Sequence, residues 1–159
     1  MSIAIVKEYF RQFGMEDKVL EFRVSSATVE LAAIALGTEE ARIAKTMSFK
    51  TKDDNCILIV TAGDVKIDNA KYKHHFGLKA KMLTAEEVMD LIGHAIGGVC
   101  PFAVKEGVKG IYIDESVKRF ATVFPACGSS ISAIELTPEE LFKYAKADSW
   151  VDVCKLKEA

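Results

Sequence analysis

The sequence predicts an α+β fold, a mixed and mainly antiparallel sheet with helices packed around it. Three observations lead there. Helical periodicities and strand-like runs are interspersed along the chain, and some neighbouring strand-like runs are joined by links too short for a parallel crossover. In addition, 159 residues, 50% of them hydrophobic, suffice to bury one core without disulfide staples. One domain over residues 1–159 is therefore expected.

Apolar residues at 3, 6, 9, 10 and 13 share one helical face, and Gly14 offers a C-terminal stop. Val19 to Val24 alternates like a strand. Thr28 caps a helix through Leu36 that Gly37 closes, and Thr38 is placed to cap a further short helix before Lys45. Lys45 to Phe49 and Cys56 to Ala62 read as two strands, paired through the polar turn Lys50-Thr51-Lys52-Asp53-Asp54-Asn55. Asp68 begins a helix ending at Gly77, and Lys79 to Leu83 reads as a short strand. Thr84 and Glu87 form a capping box for a helix ending near Ile92, with Gly93 as its stop. Gly110–Asp114, Thr122–Pro125 and Ser132–Leu136 read as later strands. Thr137-Pro138-Glu139-Glu140 places a cap, an N1 proline and a capping-box glutamate at the head of the last helix, and Trp150 to Val153 reads as a final strand.

A charged fraction of 28%, a net charge of −2 and the lack of a long apolar run predict a soluble protein with no membrane or DNA partner. The first residues lack the pattern of a signal peptide, so a cytoplasmic location is expected. The cysteines at 56, 100, 127 and 154 contain no close pair and read as reduced thiols. His74 and His75 are adjacent rather than three or four apart, and no metal-ligand spacing occurs; neither a metal nor an organic cofactor is expected.

Three features carry possible chemistry. The segment from Gly93 to Pro101 holds three glycines and a proline, and its backbone amides suit an oxyanion or a ribose oxygen; a tight connection without a ligand is the plain alternative. Lys45 interrupts a small, apolar stretch at a helix-to-strand junction, where a partly desolvated ammonium can hold a phosphate or a developing negative charge, or merely snorkel to water. Lys71, Lys73, Lys79 and Lys81 gather positive charge around Tyr72, suited either to a sugar-phosphate backbone or to a solvated face. Cys100 beside Pro101 reads as buried rather than nucleophilic, for want of an evident histidine partner.

Taken together, Thr28 to Gly37, Ile43-Ala44-Lys45-Thr46, Gly93 to Phe102 and Ile134 to Leu141 resemble, in order and spacing, the YbaK/aminoacyl-tRNA-synthetase-associated domain family. The resemblance implies a YbaK-like fold and an aminoacyl-tRNA deacylase related to the editing domain of many prolyl-tRNA synthetases. It further implies that alanine, cysteine or another small amino acid is removed, with proline tRNA as acceptor and prolyl-tRNA synthetase as a possible associate. Lys45 matches the family lysine, and Gly97-Gly98-Val99-Cys100-Pro101 matches its Gly-x-x-x-Pro loop; these are the implied catalytic residues. Thr28, Thr46, His94 and Ser129 are the implied pocket residues, and the four lysines the implied tRNA contacts. Ala133 stands where many members carry an acidic residue, and Gly128-Ser129-Ser130 replaces a Gly-Arg-Arg-like stretch, which points to a subfamily with different pocket chemistry. The alternative reading is a non-catalytic nucleotide- or tRNA-binding module of the same fold.

Overall fold

Capping residues set most helix boundaries in the computed structural model, which describes residues 2–22, 28–94 and 98–157. Helix α1 spans Ser2–Arg11, followed by strand β1 (Leu20–Glu21) and α2 (Val29–Leu36). The Thr28 hydroxyl accepts from the Leu31 amide, and Gly37, at φ +66°, terminates α2. Strands β2 (Ile43–Lys50), β3 (Cys56–Ala62) and β4 (Val65–Ile67) precede α3 (Asn69–Phe76) and α4 (Ala85–Ile92). Next come β5 (Val108–Asp114), β6 (Phe124–Pro125), β7 (Ser132–Ala133), α5 (Pro138–Ala145), β8 (Ser149–Val151) and β9 (Cys154–Leu156). Both expected capping boxes form, Thr84 with Glu87 and Thr137 with Glu140.

The main sheet has five strands in the order β6-β2-β3-β5-β8, with the two-stranded ribbons β1-β7 and β4-β9 beside it. It is mixed, as expected, but the balance within it differs from a mainly antiparallel sheet. Only β2-β3, the hairpin, is antiparallel there; β2-β6, β3-β5 and β5-β8 are parallel. Long connections through α3, α4 and α5 supply the crossovers that parallel pairs require. Both ribbons are antiparallel.

Local departures have local causes. Thr38 caps no helix: residues Glu40–Arg42 make one 3₁₀ turn, and the Thr38 hydroxyl accepts from Arg42 instead. Segment 79–83 forms only one bridge, Phe49 with Met82, rather than a strand. The strand expected to Val24 is described only at Leu20–Glu21, its last two residues lying outside the described part. Ser132–Leu136 pairs at its start in β7 and otherwise through two isolated bridges, Ala126 with Ala133 and Val123 with Leu136.

Strand β3 is buried throughout, which explains its unbroken apolar run: helices or ribbons cover both faces. Leu58 and Val60 face one cluster with Val6 and Phe10 of α1, Val88 and Ile92 of α4, and Leu141 of α5. Ile57 and Ile59 face a second cluster with Tyr72 of α3, Val65 of β4 and Cys154 of β9. A third, small cluster joins Ala32 and Ala33 of α2 to Ile43, Phe124 and Ala133. No helix among the described residues is long and apolar enough to cross a membrane.

Candidate functional site

Strand β2 is paired on its outer side only at its two ends. Ile43 and Ala44 pair with β6, and Phe49 bridges to Met82; among the described residues, Lys45 to Ser48 have no neighbour on that edge. A cleft of about 220 Å³ occupies this gap, walled by Val29, Ala32 and Leu36 of α2, Met82 and Leu83 below, Val88 of α4, and Phe124, Ala126, Ser132 and Ala133 opposite.

Strand alternation divides the polar groups of β2. Ala44 packs in the α1/α4 cluster and Phe49 in the α3 cluster, so Thr46 and Ser48 share the first face and Lys45 the second. All three line the cleft because it opens on the strand's edge. The Thr46 hydroxyl is shielded from bulk solvent and has no hydrogen-bond partner among the described residues. Lys45 is partly buried, and its Nζ donates to the Val65 carbonyl at 2.7 Å. Its pKa is lowered, first by burial and then by the nearby Lys157, so the ammonium stands in a setting that favours an anionic partner. No carboxylate or imidazole of the described residues lines the cleft.

The loop after α4 forms another wall. Gly93 stops α4 at φ +94°, and Val99 reaches the cleft. Gly98 has no positive φ; it is required by close approach, because a Cβ there would lie 2.6 Å from Ser129 Cα and N. Cys100, Pro101 and Phe102 are buried, and the Phe102 ring meets Phe10 of α1 edge-on at 4.7 Å, anchoring the loop's exit. Ala103 follows in the left-handed region at φ +55°.

The residues singled out in the sequence separate accordingly. Lys45, Thr46, Thr28 and Val99 meet at the cleft. Gly98 and Ser129 stand behind it as packed backbone, with Ser129 Oγ 2.8 Å from Ser132 Oγ. Gly97 lies outside the described residues. His94 is 1% exposed and lines no part of the cleft; its Nε2 lies 2.8 Å from the Phe102 carbonyl, which makes it the donor and leaves Nδ1 bare, without a partner among the described residues. Burial lowers the His94 pKa, which favours the neutral ring. A histidine does stand beside Cys100 after all, with Sγ and Nε2 3.6 Å apart, yet the thiol is fully buried and burial pushes its pKa up to about 12. A thiolate nucleophile is thereby disfavoured.

Lys71, Lys73, Lys79 and Lys81 are all exposed. Lys71 is engaged with Asp152 and the Cys154 carbonyl, each at 3.0 Å, while Lys73 and Lys79 border a shallow depression with Asn69, Ala70 and Ala80. Ser48, Phe124 and Ser132 were not singled out in the sequence. The period-2 signal of β2 pairs Ser48 with Thr46, but nothing local brings Phe124 or Ser132 to them.

The chain is similar to several known proteins in sequence and in fold. The profile of the aminoacyl-tRNA editing domain matches residues 24–144. An uncharacterized Bacillus subtilis (strain 168) protein, YwhH, is 53% identical over 155 residues, 98% of each chain. A proline–tRNA ligase of Halalkalibacterium halodurans is 33% identical over 106 residues, 66% of this chain but 18% of the ligase. The crystal structure of a candidate trans-editing enzyme for prolyl tRNA synthetase superposes with a TM-score of 0.85 at 30% identity, across 99% of this chain and 98% of that one.

Proposed function

Because this chain belongs to the aminoacyl-tRNA editing domain family, we propose that it is a trans-editing deacylase, a single domain that hydrolyses the ester of a small, wrongly attached amino acid on tRNA. Alanine or cysteine on proline tRNA is the substrate we favour, since the candidate trans-editing enzyme and the matching ligase are both tied by name to prolyl-tRNA synthesis. The observation that carries the reading is the small, largely apolar cleft on the open edge of β2, with a partly desolvated ammonium at Lys45 and Val99 of the glycine-rich loop on one wall.

In this reading the aminoacyl side chain enters between α2 and Val88, where Met82, Leu83 and Phe124 limit its size. An added methylene that does not fit costs about 1–3 kcal/mol, which is enough to reject larger residues by about ten- to two-hundredfold. Thr46 Oγ1 and Ser48 supply hydroxyls for the polar part of the aminoacyl group, and Thr28 lies at the cleft's α2 wall. Lys45 engages the acceptor terminus, and loop amides around Gly98 and Val99 receive the carbonyl oxygen as it becomes an oxyanion. Water attacks the carbonyl carbon, the ester C–O bond breaks, the amino acid leaves as its carboxylate, and of the two protons of the water one goes to the ribose oxygen and the other to solvent. No protein nucleophile is called on, since Cys100 is buried and protonated. Lys73, Lys79 and Lys81 contact the tRNA backbone; Lys71, held by Asp152, serves less directly.

The test is loss of radiolabel from alanyl, cysteinyl and prolyl forms of proline tRNA, with wild type and Lys45→Ala. Release from one mischarged form, lost in Lys45→Ala, is expected. Binding of all three without release from any replaces the deacylase with a nucleotide- or tRNA-binding module.

A further inference from the structure

The β4-β9 ribbon brings a second cation to Lys45. Val65 pairs with Leu156, and the next residue, Lys157, donates its amide to the Asp64 carbonyl at 3.0 Å. Lys45 Nζ is held on the Val65 carbonyl of the same short segment. The Lys157 side chain acts on Lys45 both as a like charge and as a competing donor. Neither lysine forms an ion pair among the described residues. Two carboxylates lie nearby: Glu30, which acts on Lys45 through its charge alone, and Asp64, which is held by Arg119 through contacts of 3.1 and 2.5 Å and feels Lys157 only weakly, after Arg119.

Two ammonium groups carried to one short segment, Asp64–Val65, one of them partly desolvated, repel each other unless an anion lies between them. The cleft that Lys45 lines is the one assigned above to the aminoacyl ester, and the nearest anion on such a substrate is the phosphate of the terminal nucleotide. We infer that Lys45 and Lys157 together hold that phosphate, with Lys157 a binding residue delivered by the β4-β9 ribbon. The inference rests on the deacylase reading. It adds a residue from beyond position 144, where the family match ends.

The probe is adenosine 5′-monophosphate, with adenosine as the uncharged control, titrated calorimetrically into full-length wild type, Lys157→Ala and Lys157→Arg at low salt. Lys157 is exposed, so its removal leaves the unfolding midpoint unchanged. Lys157→Ala weakens the nucleotide about tenfold, the size of one charge-assisted contact, leaves adenosine binding alone, and raises KM for aminoacyl-tRNA without changing kcat. Lys157→Arg keeps the affinity. Equal nucleotide affinity in wild type and Lys157→Ala, or no saturable nucleotide binding by the wild type, overturns the inference. The two readings fail separately: nucleotide binding that depends on Lys157 without hydrolysis of any aminoacyl-tRNA sinks the deacylase and keeps the phosphate site, and normal hydrolysis with insensitive binding does the reverse.

Discussion

Gly98→Ala is the most exacting substitution, because both sides of the contact it disturbs are backbone. The added Cβ would sit 2.6 Å from Ser129 Cα and N and 2.7 Å from the Gly128 carbonyl carbon. Relief to an ordinary contact of 3.4 Å requires loop and turn to separate by about 0.8 Å. Neither side yields easily. The turn is braced by the Ser129–Ser132 hydroxyl contact and the buried Cys127, and the loop by buried Cys100, Pro101 and Phe102. Overpacking of this kind costs about 1–3 kcal/mol, which in a chain of this size lowers Tm by about 2–12 °C. A displacement near 1 Å at a reacting centre also costs about a hundredfold in rate. Thermal unfolding and single-turnover deacylation measure the two effects on one preparation. Gly77→Ala is the control: its φ of +78° strains any side chain while nothing lies within 4 Å, so stability falls without a change in rate. If Gly98→Ala keeps both the wild-type Tm and rate, the close-packing argument is wrong. If Tm falls and the rate holds, the packing stands but the loop has no part in the chemistry.

Two further outcomes are expected. Arg42 donates to the Thr122 carbonyl and hydroxyl, to Glu135 and to Thr38, and its guanidinium lies 5.1 Å from the Phe124 ring centroid, so it clamps the short β6 onto β2. Arg42→Ala costs about 1–3 kcal/mol and speeds amide exchange at Val123 and Phe124, and Arg42→Lys fails to restore either because an ammonium lacks the planar fork; wild-type exchange rates in both variants refute the clamp. Glu87 has its pKa lowered to about 2, first by Lys50 and then by the Thr84 amide. A depressed carboxylate contributes stability above its unfolded value that is lost as pH falls through the folded one, so the wild type loses this contribution between about 4.5 and about 2. Glu87→Gln flattens that part of the acid-denaturation curve, and an unchanged curve refutes the assignment.

Helix ends were the most legible part of the sequence, because a cap is a local contract between a side chain and amides two or three residues on. Thr28, Asp68, Thr84 and Thr137 all act where their spacing placed them. The β2-β3 hairpin was legible for the same reason. The short elements were not: β4 is three residues long and β9 is three, and each exists only because the other is there. Parallel pairing was likewise hidden, since it depends on where α3, α4 and α5 carry the chain rather than on any residue within a strand. His94 shows the limit for a site. The family resemblance implied a pocket residue there, whereas the ring is buried and holds the Phe102 carbonyl.

Lys45 and Thr46 show how two neighbouring residues of a strand can line one cleft. In a central strand, neighbouring residues face opposite layers and cannot meet one ligand. On β2 the partner strand β6 stops at Ala44 and the next edge contact waits until Phe49, so the segment between them is reached from both faces at once. An open edge is ordinarily a hazard, because unpaired amides and carbonyls invite another strand. Here residues of α2 and the segment through Met82 and Leu83 line it, leaving a cleft of about 220 Å³, the size of a small group. The same cover that protects the edge therefore shapes the cleft, and lengthening β6 by even two paired residues would close it.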